Sequence, residues 1–90
     1  MHIVSLRNLE RLWQQPKGKA VEGALKAWFA EAKAAKWASP QDVKKRYANA
    51  SIIANNRIVF NIKGNDFRLI VAIAYKVQYA YVKFIGTHAE

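Results

Sequence analysis

Arg68 stands in the run Phe67-Arg68-Leu69-Ile70-Val71-Ala72-Ile73-Ala74-Tyr75, where every other side chain is apolar. A guanidinium in such a setting needs a carboxylate partner or an open groove, because burying it alone is costly. Glu22, Glu31 and Asp66 are available for a structural ion pair, and a bound phosphate is the alternative. His88, in the closing run Gly86-Thr87-His88-Ala89-Glu90, carries an imidazole whose ordinary pKa lies near neutrality. It can act as general acid or base with Glu90 orienting it, or stand idle in solvent near a terminus. Lys63 precedes the Gly64-Asn65 turn; it is a base only where crowded cations lower its pKa, and otherwise a solvated turn lysine. Tyr79 and Tyr81 share one strand face, as core, as a stacking surface, or as both. Trp13, Trp28 and Trp37 read instead as helix-packing residues. The row Lys44-Lys45-Arg46 is a solvated helix face or a contact to a phosphate backbone.

Several other chemistries lack material. From Arg57 onward only Asp66 and Glu90 are acidic, against Arg57, Lys63, Arg68, Lys76 and Lys83. Carboxylate pairs for glycoside or metal-dependent phosphodiester chemistry are thus poorly supplied. His2 and His88 are the only imidazoles and there is no cysteine, so a multi-His site, a zinc ribbon and a disulfide scaffold are excluded, and no metal or cofactor is expected. No Gly-x-Ser-x-Gly elbow or phosphate-cradling Gly-rich loop occurs; Gly18 and Gly23 are isolated. What the chain does have is charge: 15 Lys and Arg against 6 Asp and Glu, a net charge of +9 over 90 residues. Such a field suits nucleic acid, an anionic membrane or an acidic protein. The longest apolar run, Leu69 to Tyr75, falls far short of the ~18 residues of a membrane span. No signal-peptide pattern opens the sequence, so the expected compartment is the reducing cytosol.

The elements that must position these residues divide near residue 50. Before it Ala, Lys, Leu and Glu favour helix; after it Ile, Val, Phe and Tyr favour strand. The expectation is one α+β domain over residues 1–90, with helices in the first half followed by an antiparallel meander of three or four strands. His2 to Val4 can add an edge strand. Ser5 can cap a helix with Leu6, Leu9, Leu12 and Trp13 on its apolar side, stopped by Pro16 and Gly18. A second helix is expected from about Lys19 to Trp37, with Val21, Ala24, Leu25, Trp28, Ala32 and Ala35 as its stripe. Ser39, Pro40 and Asp42 signal a short third helix through a capping box, with Val43 and Tyr47 on one side. Strands follow at Ser51–Ala54, Arg57–Ile62, Phe67–Tyr75 and Tyr79–Ile85, with turns at Asn55-Asn56, Gly64-Asn65 and Val77-Gln78. Ile58, Phe60 and Ile62 share one face of the second, and the third is apolar on both faces, as a central strand is.

The segment Asn55-Asn56-Arg57-Ile58-Val59-Phe60-Asn61-Ile62, followed by Gly64-Asn65, Arg68-Leu69-Ile70 and the closing Gly86-Thr87-His88-Ala89-Glu90, resembles the HigB toxins of the RelE/ParE superfamily. The short opening strand, the paired helices and the Ser39-Pro40 start are similar too, so the likeness runs through the chain. Similar proteins continue past the Thr-His-x-Glu run with an aromatic residue and an acid; this sequence ends at Glu90. The resemblance implies an α+β, RelE-like fold of two to three N-terminal helices packed on a twisted antiparallel sheet of three to five strands, and a metal-independent endoribonuclease that cleaves mRNA on the translating ribosome. It also implies a cognate antitoxin, of the helix-turn-helix HigA type, through which alone the toxin meets operator DNA. Arg68 matches the strand arginine that would hold the scissile phosphate, and His88 the C-terminal position of a catalytic cation or acid. Lys63 is a weaker catalytic match. Asn61 and Lys83 match more weakly as RNA contacts, joined by Arg57, Lys44, Lys45 and Arg46. Two other readings are a ParE-like toxin that blocks a protein such as DNA gyrase without catalysis, and a plain RNA-binding module. The second would show strand aromatics in an RNP-like pattern, which is not found.

Overall fold

The computed structural model describes residues 1–4, 22–54, 56–62 and 67–87. The helix expected from Ser5, the turn residues Lys63 to Asp66 and the closing His88 to Glu90 lie outside the described residues. In chain order the elements are β1 (His2–Val4), α1 (Glu22–Ala34), α2 (Pro40–Arg46), β2 (Ser51–Ala54), β3 (Arg57–Ile62), β4 (Phe67–Ala74) and β5 (Tyr79–Thr87). The strands form one sheet in the order β1-β5-β4-β3-β2, which puts β4 at its centre.

Strands β2 to β5 make the expected antiparallel meander. The β4–β5 turn, residues 75–78, closes through Gln78 at φ 59°, and the Gln78 Nε2 donates to the carbonyls of Trp37 and Tyr75, each at 2.7 Å. The sheet as a whole is mixed rather than antiparallel, because β1 runs parallel to β5, His2 opposite Tyr79 and Val4 opposite Tyr81. No hairpin joins these two strands, so either direction is open to them. Two contacts fix the direction by holding the chain start at the β4–β5 turn. The His2 N–H donates to the Gln78 carbonyl at 2.8 Å. The Met1 ammonium donates to the carbonyls of Ala32, Lys33 and Ala35 at 3.1, 2.8 and 2.8 Å.

The same ammonium explains where α1 stops. The helix ends at Ala34 and not at Trp37 as its composition suggests. A cation on the last carbonyls answers both their unmet hydrogen bonds and the negative end of the helix dipole. The chain beyond is then free to turn Trp37 into the core, where it is buried. Leu25, Trp28 and Ala32 form the buried stripe of α1, with Lys26, Lys33 and Lys36 exposed. At α2, Ser39 is the cap: its Oγ accepts from the Asp42 N–H at 3.4 Å, and Pro40 opens the helix. The Asp42 carboxylate reaches one residue further back than a capping box requires, accepting from the Ala38 N–H at 2.9 Å.

Both helices contribute to the core on one face of the sheet. That face carries Ile58, Phe60 and Ile62 of β3, Leu69, Val71 and Ile73 of β4, and Ala80 and Val82 of β5, all buried. Phe60 is the hub. Trp28 meets it edge-on at 5.3 Å, Tyr47 edge-on at 5.1 Å and Trp37 stacked at 6.2 Å between centroids.

Candidate nucleic-acid interface

Alternation along β3 sends Arg57, Val59 and Asn61 to the face opposite the helices. Strand pairing sets Asn61 directly opposite Arg68, and Arg68 opposite Gly86, across the three strands β3, β4 and β5. Side chains so paired are direct neighbours. Gly86 adds no side chain beside the guanidinium. Arg68 is half-buried, and its guanidinium carbon lies 5.7 Å from the centroid of Phe84. Asn61 is oriented by its Nδ2, which donates to the Asn49 carbonyl at 2.9 Å.

A bulge shapes the rest of this face. Ile70 pairs with Phe84 but Val71 with Val82, so Lys83 is the extra residue of β5. Without the bulge, alternation would place Lys83 beside Tyr81 and turn Phe84 to the core. With it, Phe84 joins Tyr81 and Tyr79 on the open face, and the Lys83 ammonium lies 5.7 Å over the Tyr81 ring. The Tyr81 and Tyr79 centroids are 6.1 Å apart, and Tyr79 is 4.8 Å from the His2 ring. Arg57 is exposed, opposite Ala72.

The sequence-derived candidates therefore separate into groups. Arg68, Asn61, Arg57 and Lys83 come together on the open face. Lys63 and His88 lie outside the described residues; in sequence each directly follows a residue, Ile62 or Thr87, that pairs with Phe67 beside Arg68. Lys44, Lys45 and Arg46 stand on the helical layer, across the sheet. There the Lys44 ammonium donates to the carbonyls of Ala48 and Ala50 at 2.9 and 2.6 Å. Lys45 is 3.9 Å from Asp42, and Arg46 is 2.6 Å from Glu31. Two of the acids expected near Arg68 are engaged on that layer: Glu31 by Arg46 and the Tyr47 hydroxyl, and Glu22 by Lys26 at 3.2 Å. Asp66 is outside the described residues. The Tyr47 phenol is raised far above its ordinary pKa, first by burial, then by its hydrogen bond to Glu31 and that residue's charge, with Arg46 opposing. Tyr75 is raised by burial and by the charge of Asp42.

Two cavities border the helical layer, the smaller one reaching Asn61. One of about 460 Å³ is lined by Met1, Lys33, Lys36 and Gln78, and one of about 220 Å³ by Trp28, Glu31, Tyr47 and Asn61. Among the described residues no group of three or more His, Cys, Asp or Glu side chains is placed to hold a metal. No described helix is long and apolar enough to cross a membrane.

A family model, HigB toxin, described as the RelE-like toxic component of a toxin-antitoxin system, matches residues 21–90. The chain belongs to this HigB family. A search of curated proteins returned no match. Membership makes the chain a toxin of a toxin–antitoxin system and implies an antitoxin as its partner. The match contains every cation of the open face, while the β1 strand that carries His2 precedes it. Residue chemistry alone missed three members of this face: Phe84, Gly86 and His2. For Gly86 and His2 the missing information was strand pairing; for Phe84 it was the bulge, which no local pattern in Tyr79–Thr87 announces.

Proposed function

We propose that this toxin is an endoribonuclease that cleaves mRNA on the translating ribosome, in the cytoplasm and without a metal. Its antitoxin is of helix-turn-helix HigA type, and operator DNA is met only through that partner. The observation that carries this reading is the row Asn61-Arg68-Gly86 across the central strands, on the face that no described helix covers. A guanidinium there, with Arg57 and Lys83 on the same face, suits an anionic polymer.

In the proposed reaction the ribose 2′-oxygen attacks the adjacent phosphorus and the bond to the 5′-oxygen breaks. A 2′,3′-cyclic phosphate forms, the 2′-hydroxyl proton is lost to a base, and the leaving 5′-oxygen gains one. Arg68 holds the non-bridging oxygens, where charge builds. His88 gives the proton to the leaving oxygen, and Lys63 serves as base or as added positive charge. Asn61, Arg57 and Lys83 contact the RNA; Lys44, Lys45 and Arg46 add longer-range attraction from the helical layer.

The test is inducible expression with primer extension on cellular mRNA, together with cleavage by purified toxin on programmed ribosomes. Arg68→Ala is expected to lower cleavage by ~10²–10³ and to end growth arrest. Arg68→Lys recovers only part, since an ammonium lacks the two-pronged contact. Products should carry a 2′,3′-cyclic or 3′-phosphate and should form in excess EDTA when ribosome integrity is controlled. A folded Arg68→Ala protein that still arrests growth, or arrest without mRNA cleavage, overturns the reading in favour of a protein-blocking toxin.

A further inference from the structure

One feature of the open face goes beyond a phosphate clamp. From Arg68 toward the start of β5, cations and rings stand in two contact groups on one face: Arg68 over Phe84, and Lys83 over Tyr81 with Tyr81 beside Tyr79 and Tyr79 beside His2. Tyr79 is 39% exposed, and His2 and Lys83 are exposed as well. Tyr81 and Phe84 are half-buried, and a ring as open as Tyr79 in a strand otherwise rich in buried residues is not explained by the core. Pairing places Gly86 opposite Arg68 and Tyr79 opposite Ala74, so the row extends over seven residues of β4, a run of six steps. At ~3.3 Å per strand residue this is about 20 Å.

Rings in sequence with cations are the means by which proteins hold single-stranded nucleic acid, bases on the rings and phosphates on the cations. We propose that this row along β5 is a track for single-stranded RNA, leading the strand away from Arg68, with Tyr79 and Tyr81 as base-stacking residues and Lys83 as a phosphate contact. The row spans about four nucleotides, the short end of known single-strand sites. Duplex RNA does not fit this use, since its bases offer no free faces. The track rests on the ribonuclease reading for its biological substrate, but its binding chemistry stands by itself.

The charge balance favours RNA over an apolar peptide: the row carries Arg68 and Lys83 and no acid among its described members, within a chain of net charge +9. Tyr79 and Tyr81 face outward from β5, so their truncation leaves Phe60 and its neighbours in place.

The experiment measures binding of a fluorescent twelve-nucleotide RNA to the full chain by anisotropy, at several salt concentrations. Three probes are compared: the single strand, an abasic strand of equal charge, and the same sequence as a duplex. Poly-L-glutamate serves as an acidic-protein competitor. Wild-type protein should bind the single strand at least tenfold more tightly than the abasic strand, a test that needs no variant. Tyr79→Ala with Tyr81→Ala should lose about tenfold or more for the single strand only. Tyr→Phe at both sites should restore binding and Tyr→Leu should not, which separates stacking from mere apolar contact. Lys83→Ala should lower the slope of log affinity against log salt by about one.

Equal binding of abasic and intact strands, recovery by Tyr→Leu, or competition by poly-L-glutamate as effective as that by RNA each overturns the track. The two readings fail separately. A toxin that cleaves mRNA on ribosomes with its alanine variants binding normally loses the track and keeps the nuclease. One that binds with the stacking signature but never cleaves keeps the track and loses the nuclease.

Discussion

The two faces of the sheet use the same residue types in opposite ways. On the covered face the rings of Trp28, Trp37 and Tyr47 converge on Phe60, and the nearby cations are held by protein groups: Arg46 by Glu31, Lys44 by two carbonyls. On the open face the rings lie in file along β5, and Arg68 and Lys83 lie over them. Aromatic residues thus converge on one centre on the covered face and stand in file with cations on the other. A basic row such as Lys44-Lys45-Arg46 is the more conspicuous in the sequence, yet it stands on the helical layer. The scattered cations Arg57, Arg68 and Lys83 are the ones the fold brings to a common surface. Charge becomes informative only once it is assigned to a face.

The largest expected difference between the faces is in stability. Phe60→Ala removes the hub of the covered cluster and should cost about 3–5 kcal/mol. A domain with a total stability of ~5–15 kcal/mol would then be close to unfolding. Tyr79→Ala on the open face should cost under ~1 kcal/mol. Urea midpoints of the two variants measure this directly, and equal losses would erase the distinction drawn between the faces.

The next contrast is between two lysines. Lys44→Ala strips two carbonyls of their donor and should cost about 1–2 kcal/mol, the lower part of the range for charged hydrogen bonds because the ammonium is partly exposed. Lys83→Ala should be nearly neutral in stability and should weaken RNA binding instead. If Lys44→Ala reduces RNA affinity as much as Lys83→Ala does, the helical layer contacts RNA directly and the division by face is too sharp.

Much of this fold is legible in the residues. The Ser39-Pro40 start, the inward set Ile58, Phe60 and Ile62, and the apolar run that makes β4 central all follow from local pattern. Local rules suffice there because each signal lies within one element. The features that escape are those that depend on a partner distant in sequence. The parallel direction of β1 and the early end of α1 both follow from Met1 meeting Ala32, Lys33 and Ala35, a contact that no helix propensity encodes. Arg68 stands out because a cation in an apolar strand violates its surroundings, whereas Phe84 fits its surroundings and stays unremarked. The bulge at Lys83 decides which of those two neighbours faces outward, and the backbone register that makes it is a property of β4 and β5 together.

That long-range cap gives a smaller effect. Adding one glycine before Met1 replaces a three-donor ammonium by a single amide N–H and removes positive charge from the end of α1. The cost should be about 1 kcal/mol, up to ~2 in so buried a setting. Thermal or urea unfolding of the two chains measures it, and acetylation of the amine should act in the same direction. The amine meets the end of α1 on the covered side of the sheet, while His2 beside it reaches only the far end of the row, so single-stranded RNA affinity under folding conditions should change little. A loss of affinity with no loss of stability would mean that the chain start, through His2, belongs to the RNA surface more than to the helix cap.

The smallest effect near neutrality is a titration confined to the covered face. The Tyr47 phenol is raised above its ordinary value, mainly by burial and then by Glu31. A tyrosine in the unfolded chain ionises near pH ~10. Below that pH both states keep the proton, and the full contribution of the buried neutral phenol to stability is present. Above it the unfolded chain releases its proton while the folded chain holds on, so the unfolded state binds fewer protons and stability falls as pH rises. Tyr75, raised by burial and by Asp42, acts in the same sense. Urea midpoints should therefore be flat from pH 7 to 9 and decline beyond 10. Tyr47→Phe should be less stable at pH 7 by about 1 kcal/mol, having lost its hydrogen bond to Glu31, but should decline less between pH 9 and 11. Lysine deprotonation also enters in that range, and because it acts on both proteins it cancels in the difference. Parallel curves for wild type and Tyr47→Phe would show that Tyr47 keeps an ordinary phenol. The Glu31-Tyr47-Arg46 contact would then be a surface arrangement and not part of the covered face's core.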